Sequence, residues 1–160
     1  MTTERNRPKC AVAVAVLVLG LISGVPAFAA LGDTLESVKA DQKQMRASAQ
    51  TTEADDYTIL ELKLPVGTVV REYVSRSDGH VFAVTWQGPF IPDLQQLLGS
   101  YFQQYSKAAT VQRQNRIGLH SLDIRQPGLV FENVGHMLDY AGRAYDPRLL
   151  PSSVTPNDIR

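Results

Sequence analysis

Three histidines, His80, His120 and His136, are the side chains of this 160-residue sequence best suited to hold a metal or move a proton. No two of them stand at the three- or four-residue spacing that sets two imidazoles on one face of a helix. His80 and His136 each follow a glycine, at turns where an imidazole is simply solvated. If the two hairpin ends lay together they would form half of a copper or zinc site, short of the three or four ligands such sites use. His120-Ser121-Leu122-Asp123 gathers a base, a hydroxyl and a carboxylate, but on a strand His120 and Asp123 point to opposite faces. A Gly-x-Ser-x-Gly elbow that would present a nucleophile is missing. The paired carboxylates Asp55-Asp56 lie in a polar stretch and read as solvated. These residues imply no catalytic set, no metal ligands and no cofactor, so the expectation is a protein that binds rather than catalyses.

Contact chemistry is more informative. From Leu94 to Ser106 no side chain is charged. Leu94, Leu97, Leu98, Tyr101, Phe102 and Tyr105 recur at helical spacing and form a core-facing stripe. The opposite face carries Gln95, Gln96, Gly99, Ser100, Gln103 and Gln104. A helix that faces only water usually carries Lys, Glu or Arg there, and charge is depleted at interface centres. Gln96, Ser100, Gln103 and Gln104 are therefore candidate interaction residues, joined by Phe90 and Ile91 from a proline-bounded loop. The partner expected is a protein of the cell envelope or a second copy of the chain.

The elements that position these residues follow from periodicity. Asp33-Thr34-Leu35-Glu36 has the form of a capping box, and Leu31, Leu35, Val38 and Met45 continue as a narrow apolar stripe, predicting a first helix. Ser48 to Asp56 is polar and reads as a linker. Strands are predicted at Tyr57–Leu64, Thr68–Ser75 and Val81–Gln87, the last with Phe82, Val84 and Trp86 on one face. Pro65-Val66-Gly67 and Arg76-Ser77-Asp78-Gly79 supply the turns. Asp93-Leu94-Gln95-Gln96 caps the second helix, and Lys107 to Gly118 reads as a polar, basic loop. Further strands are predicted at Leu119–Arg125, Leu129–Asn133 and His136–Tyr145, with Val134-Gly135 linking the last two. Arg143 is expected to pair with Glu72 or Glu61.

The resulting fold class is α+β: an antiparallel sheet with two helices on one face, in the order α-βββ-α-βββ. Both helices open with Asp-x-x-Glu/Gln, and both Gly79-His80 and Gly135-His136 open a last strand, which suggests a duplicated unit.

The amino terminus sets the compartment. Arg5, Arg7 and Lys9 precede an apolar run from Ala11 to Ile22, which is too short for the ~20 residues of a membrane span and suits a signal-peptide core. Ala27-Phe28-Ala29 supplies the small residues that a signal peptidase reads, so residues 1–29 are expected to be removed before Ala30. Residues 30–150 would then be one domain and residues 151–160 a flexible tail. Losing Glu4, Arg5, Arg7 and Lys9 turns a net charge of zero into −2. Neither sign dominates, which argues against nucleic acid or an anionic membrane surface as partner. Cys10 leaves with the leader, so the mature chain has no cysteine and no disulfide. Nothing is expected to insert in a membrane after cleavage, and the product is expected to be periplasmic or secreted.

Leu64-Pro65-Val66-Gly67-Thr68-Val69-Val70-Arg71-Glu72-Tyr73 and Val81-Phe82-Ala83-Val84-Thr85-Trp86-Gln87-Gly88-Pro89 carry a resemblance. Pro92-Asp93-Leu94, Leu97-Leu98-Gly99-Ser100-Tyr101-Phe102 and Gly142-Arg143-Ala144-Tyr145 add to it. The chain resembles a family of small exported proteins of Gram-negative bacteria known only as a domain of unknown function. The resemblance implies export and a single domain, and brings no activity or residue role. The functional expectation is thus a non-enzymatic exported binding or accessory protein acting through protein–protein contacts. A periplasmic small-ligand or metal-binding protein is the alternative, and a small hydrolytic enzyme a third reading.

Overall fold

The computed structural model describes residues 30–34, 48–115 and 121–160. Its central feature is one antiparallel sheet of seven strands: β1 (Ser48–Glu53), β2 (Tyr57–Lys63), β3 (Val69–Ser75), β4 (Val81–Gly88), β5 (Ser121–Gln126), β6 (Leu129–His136) and β7 (Asp139–Tyr145). Their spatial order is β1-β2-β3-β4-β7-β6-β5. One helical arm joins β4 to β5. It consists of α1 (Leu94–Leu98), a 3-10 turn (Gly99–Tyr101) and α2 (Phe102–Asn115).

The two-helix α+β arrangement is therefore corrected: the described residues are mainly sheet, with a single helical arm. The first helix expected after Asp33 falls on residues 35–47, outside the described residues. Of its approach, Gly32 and Asp33 bond to Val81 and Thr34 bridges to His80. The supposed linker contains the edge strand β1, paired along its length with β2 from Ser48↔Lys63 to Glu53↔Thr58. All six of its residues are exposed, so no apolar alternation announces it. The basic loop from Lys107 is instead helix as far as Asn115. Ala108 and Ala109 are buried there against the sheet, and Ala, Gln, Lys and Arg all favour helix. The suggested duplication does not hold in space, because His80 precedes β4 whereas His136 ends β6.

Both faces of the sheet are covered over its middle. On one face Leu60, Leu62, Val70, Val84, Trp86, Phe131 and Ala144 pack with Leu97, Leu98 and Tyr105 of the arm and with Leu31. On the other, Tyr73, Phe82, Ala83, Val130 and Tyr145 pack with Val154 and Ile159. The last ten residues, expected to be a flexible tail, lie along this second face. A 3-10 turn at Pro156–Asp158 carries a reciprocal Thr155/Asp158 cap, and Tyr73 Oη and Thr85 Oγ1 donate to the Arg160 carbonyl. Phe82 is on this face rather than beside Trp86. The β3–β4 register shifts between Tyr73 and Val74, and a bulge of that kind reverses the alternation beyond it.

Trp86 is buried as its strand position predicts. Its ring lies against Phe131 at 5.4 Å and its Nε1 donates to Asn133 Oδ1 at 3.1 Å. Gly142 on the neighbouring strand leaves room for the indole, since a Cβ there would come within 2.3 Å of Cζ2. Asp146, wholly buried after β7, accepts from Tyr101 Oη at 2.7 Å and from Arg148 Nη2 at 2.6 Å, tying the arm to the sheet. Burial alone would raise the Asp146 carboxyl, but the bonds from Arg148 and Tyr101 outweigh it and hold the group below the usual carboxylate value.

Truncating Trp86 to Ala should cost roughly 3–5 kcal/mol, read from urea unfolding, and the native indole should emit in the blue-shifted range of a buried ring. Asp146→Asn should cost roughly 1.5–3 kcal/mol at neutral pH. A carboxyl whose folded pKa is depressed stabilises above its unfolded value of ~3.9. Wild-type stability should therefore fall as pH drops below about 4, and the part carried by Asp146 should be absent from the Asn variant.

Candidate functional site

The groups with chemical potential are held apart. β4 runs from just after His80 to Gly88, Gly88 pairs with Tyr140, and His136 pairs with Asp139. The two histidines therefore stand at opposite ends of the sheet, about 25 Å apart at ~3.3 Å per residue. His80 Nδ1 donates to the Gly32 carbonyl at 3.0 Å, a structural contact. His120 lies outside the described residues, and Asp123 on β5 pairs with Arg125. Among the described residues no group of three or more His, Cys, Asp or Glu is placed to hold a metal. The hairpin half-site for copper or zinc is not assembled.

One polar row crosses every strand on the sheet face that carries the C-terminal segment. Gln50, Glu61, Arg71, Thr85, Arg143, Glu132 and Asp123 are successive cross-strand partners from β1 to β5. Arg71 Nε donates to Glu61 at 2.9 Å and Arg143 Nε to Glu132 at 2.7 Å. Glu132 is thus the partner of Arg143, in place of Glu61 or Glu72. Glu72 points to the other face, where it is fully buried in the row that includes Leu60 and Val84. The bond from Arg143 is the main reason that the Glu132 carboxyl is lowered. Beside this row a shallow cleft of about 260 Å³ is lined by Thr85, Gln87, Ala141, Arg143 and Arg160.

The most exposed apolar side chains gather elsewhere, at one end of the sheet. β2 ends and β3, β7 begin at this end, as do the ends of β4 and β6. The loops there expose Val66, Phe90 (52%), Ile91 (42%), Met137 (81%) and Leu138 (65%), and the end of β6 exposes Val134; Val111 on α2 is the other large apolar residue exposed among the described residues. The platform is fixed from behind. Buried Thr68 donates through Oγ1 to the Phe90 carbonyl at 2.7 Å and accepts from the Phe90 amide at 3.3 Å. Gly88, at φ +154°, lets the chain pass Thr68, whose Cα would lie 2.5 Å from a Cβ there.

Phe90 and Ile91, two of the candidate interaction residues, are exposed at this end. The helix face is less open than its glutamines suggested. Gln95, Ser100 and Gln103 are exposed, but Gln96 is half-buried, Gly99 abuts Ala30, and Gln104 Nε2 donates to the Pro127 carbonyl at 3.0 Å. Part of that charge-free surface is covered by the chain itself.

Met137 and Leu138 were missed. The sequence puts the hairpin link at Val134-Gly135, whereas β6 continues to His136 and the two-residue turn is Met137-Leu138, with φ of +32° and +65°. Turns of this hand normally recruit Asn-Gly, so no turn signal marks the pair. An L side chain in the left-handed region costs about 1–2 kcal/mol. Two bulky apolar residues thus hold a strained conformation at a solvent-facing tip.

Residues 27–159 match the family described as protein of unknown function, DUF2844. The chain belongs to this family. No curated protein and no solved structure matches it significantly. The DUF2844 match takes in all seven strands, the helical arm and the apolar end, so the platform and its strained tip are part of the family domain.

Replacing Met137-Leu138 by Asn-Gly should raise stability by roughly 1–2 kcal/mol, because the turn strain is removed. The gain is measurable as a higher urea midpoint with an unchanged denaturant slope. Thr68→Val should do the reverse, destabilising by roughly 1–3 kcal/mol as the Phe90 amide and carbonyl lose their partner.

Proposed function

We propose that this DUF2844 chain is a non-enzymatic exported binding or accessory protein of the envelope of Gram-negative bacteria, periplasmic or secreted, that acts through protein–protein contacts. The observation that carries the reading is the apolar end. Six large apolar side chains share one end of a rigid sheet, two of them in a strained turn that an Asn-Gly pair would relieve. Strain kept at an exposed position points to function, and clustered exposed apolar side chains mark interaction sites. Export is supported by the charged, apolar and small-residue zones of residues 1–29.

The partner is an envelope protein or a second copy of the chain. Neither nucleic acid nor the bilayer is favoured, since the mature chain is nearly neutral. Among the described residues no helix is long and apolar enough to cross a membrane.

The cleft beside Arg143 favours a second reading, a small-ligand protein, because it combines an apolar floor with a few convergent polar groups. Phe90→Glu with Leu138→Glu separates the two. Both positions are exposed, so stability should change by no more than ~0.5 kcal/mol each. Crosslinking pull-down from the native envelope, together with sedimentation of the purified protein, should show at least a tenfold loss of partner or self-association, since two charges would be desolvated without partners. Retention of every partner and of the same sedimentation coefficient would move the function to the cleft.

A further inference from the structure

Residues 30–33 fill a slot between the helical arm and β4. Ala30 and Leu31 are 1% and 0% exposed. The Leu31 amide donates to the Leu97 carbonyl at 3.0 Å, the Gly32 amide to Val81 at 2.7 Å, and the Val81 amide returns to Asp33 at 2.8 Å. Gly99 lies over Ala30 so closely that a Cβ on it would come within 2.2 Å of the Ala30 Cβ, and the Tyr101 ring covers Gly32 in the same way at 3.0 Å. The Ala30 nitrogen itself lies 3.3 Å from Asp33 Oδ2. Upstream stands Ala27-Phe28-Ala29, the small-residue signal for cleavage.

We infer that cleavage of the Ala29–Ala30 bond completes the fold: it frees an α-ammonium on Ala30 that pairs with the Asp33 carboxylate and locks residues 30–33 between the helical arm and β4. This rests on the export reading. The step is a hydrolysis by an endopeptidase of the export pathway. Water supplies the hydroxyl to the Ala29 carboxyl and a proton to the Ala30 nitrogen, which takes a further proton from solvent at neutral pH. A peptide nitrogen offers Asp33 one uncharged donor, whereas the ammonium offers three donors and a positive charge, giving a shorter and stronger bond.

Other ionisable groups face the slot. His80 is bonded to the Gly32 carbonyl, and Tyr101 is bonded to Asp146, itself paired with Arg148. Burial together with Asp146 raises the Tyr101 hydroxyl. An α-amino group titrates near 7.7–8.0 when unpaired, and pairing raises it in the folded state. Stability from the pair is therefore complete below the unfolded value and is lost as pH rises through the folded one.

The test compares protein exported and recovered from the periplasm with the same chain retaining Phe28-Ala29 at its start, each with and without Asp33→Asn. Intact mass fixes the first residue, and urea unfolding at pH 7 and pH 10 reads the pair. The protein that begins at Ala30 should have an unfolding constant roughly tenfold smaller than the extended form at pH 7. That difference should shrink at pH 10 and largely vanish in the Asp33→Asn background. A mass that includes residues before Ala30 would overturn the cleavage reading itself. A start at Ala30 with no difference at pH 7, or with one that ignores both pH and Asp33→Asn, would leave export standing and overturn the pairing.

Discussion

Everything in this fold answers to the burial of β4 on both faces. Six consecutive residues, Val81 to Trp86, are buried, so the strand offers apolar side chains upward and downward at once. A sheet with one solvated face would leave half of them in water. The helical arm covers one side and the C-terminal segment the other, and neither cover is optional. Val154 and Ile159 complete the second face as Leu97, Leu98 and Tyr105 complete the first. The polar row from Gln50 to Asp123 runs along the second cover: Arg143 donates to the Pro156 and Ile159 carbonyls and Thr85 to that of Arg160.

That constraint explains what was legible in the sequence. Strands β2, β3 and β4 are rich in β-branched and aromatic residues, and the arm's stripe has a helical period, so burial writes itself into composition. β1 has no such record. It is an edge strand exposed on both sides, held by backbone pairing to β2 and by the Arg76–Glu53 ion pair, and a polar strand of that kind is indistinguishable from a linker. The C-terminal segment was obscure for a related reason: Val154 and Ile159 are isolated among Pro, Ser, Thr and Asn, too sparse for a periodic signal, although each fills a preformed hollow. The shift at Tyr73/Val74 is a third case, since one bulge moves Phe82 to the opposite face without altering the residues on which alternation is judged.

The candidate site was half legible for the same physical reasons. Phe90 and Ile91 stand out because apolar residues in a proline-bounded loop have no periodic core to join. The glutamine face of the arm stood out by its missing charge, but contacts with Ala30 and Pro127 account for part of that absence. Met137 and Leu138 were invisible because turn recognition depends on Gly, Asn, Asp or Pro, and this turn uses none of them. Its only signal was negative: an apolar pair interrupting a run of strand residues with no Gly or Asn to explain it.

The two ends of the sheet differ in how they are tied. At the His80 end the Ala30–Thr34 segment bonds to Val81 and Leu97, Asp146 gathers Tyr101 and Arg148, Arg76 reaches Glu53, and Ser153 bonds to Asp56. These are polar, long-range ties between termini, arm and strands, and they leave that end little freedom. At the opposite end Thr68 ties to Phe90, and the described loops expose Phe90, Ile91, Met137 and Leu138. A sheet clamped at one end and backed by close-packed layers can tolerate strain at the other, because a turn costing a kcal/mol or two is affordable only where the rest of the domain is already determined. The clamp is thus what permits Met137 and Leu138 to stay exposed and misfitted, and it is on this apolar tip that the proposed binding role rests.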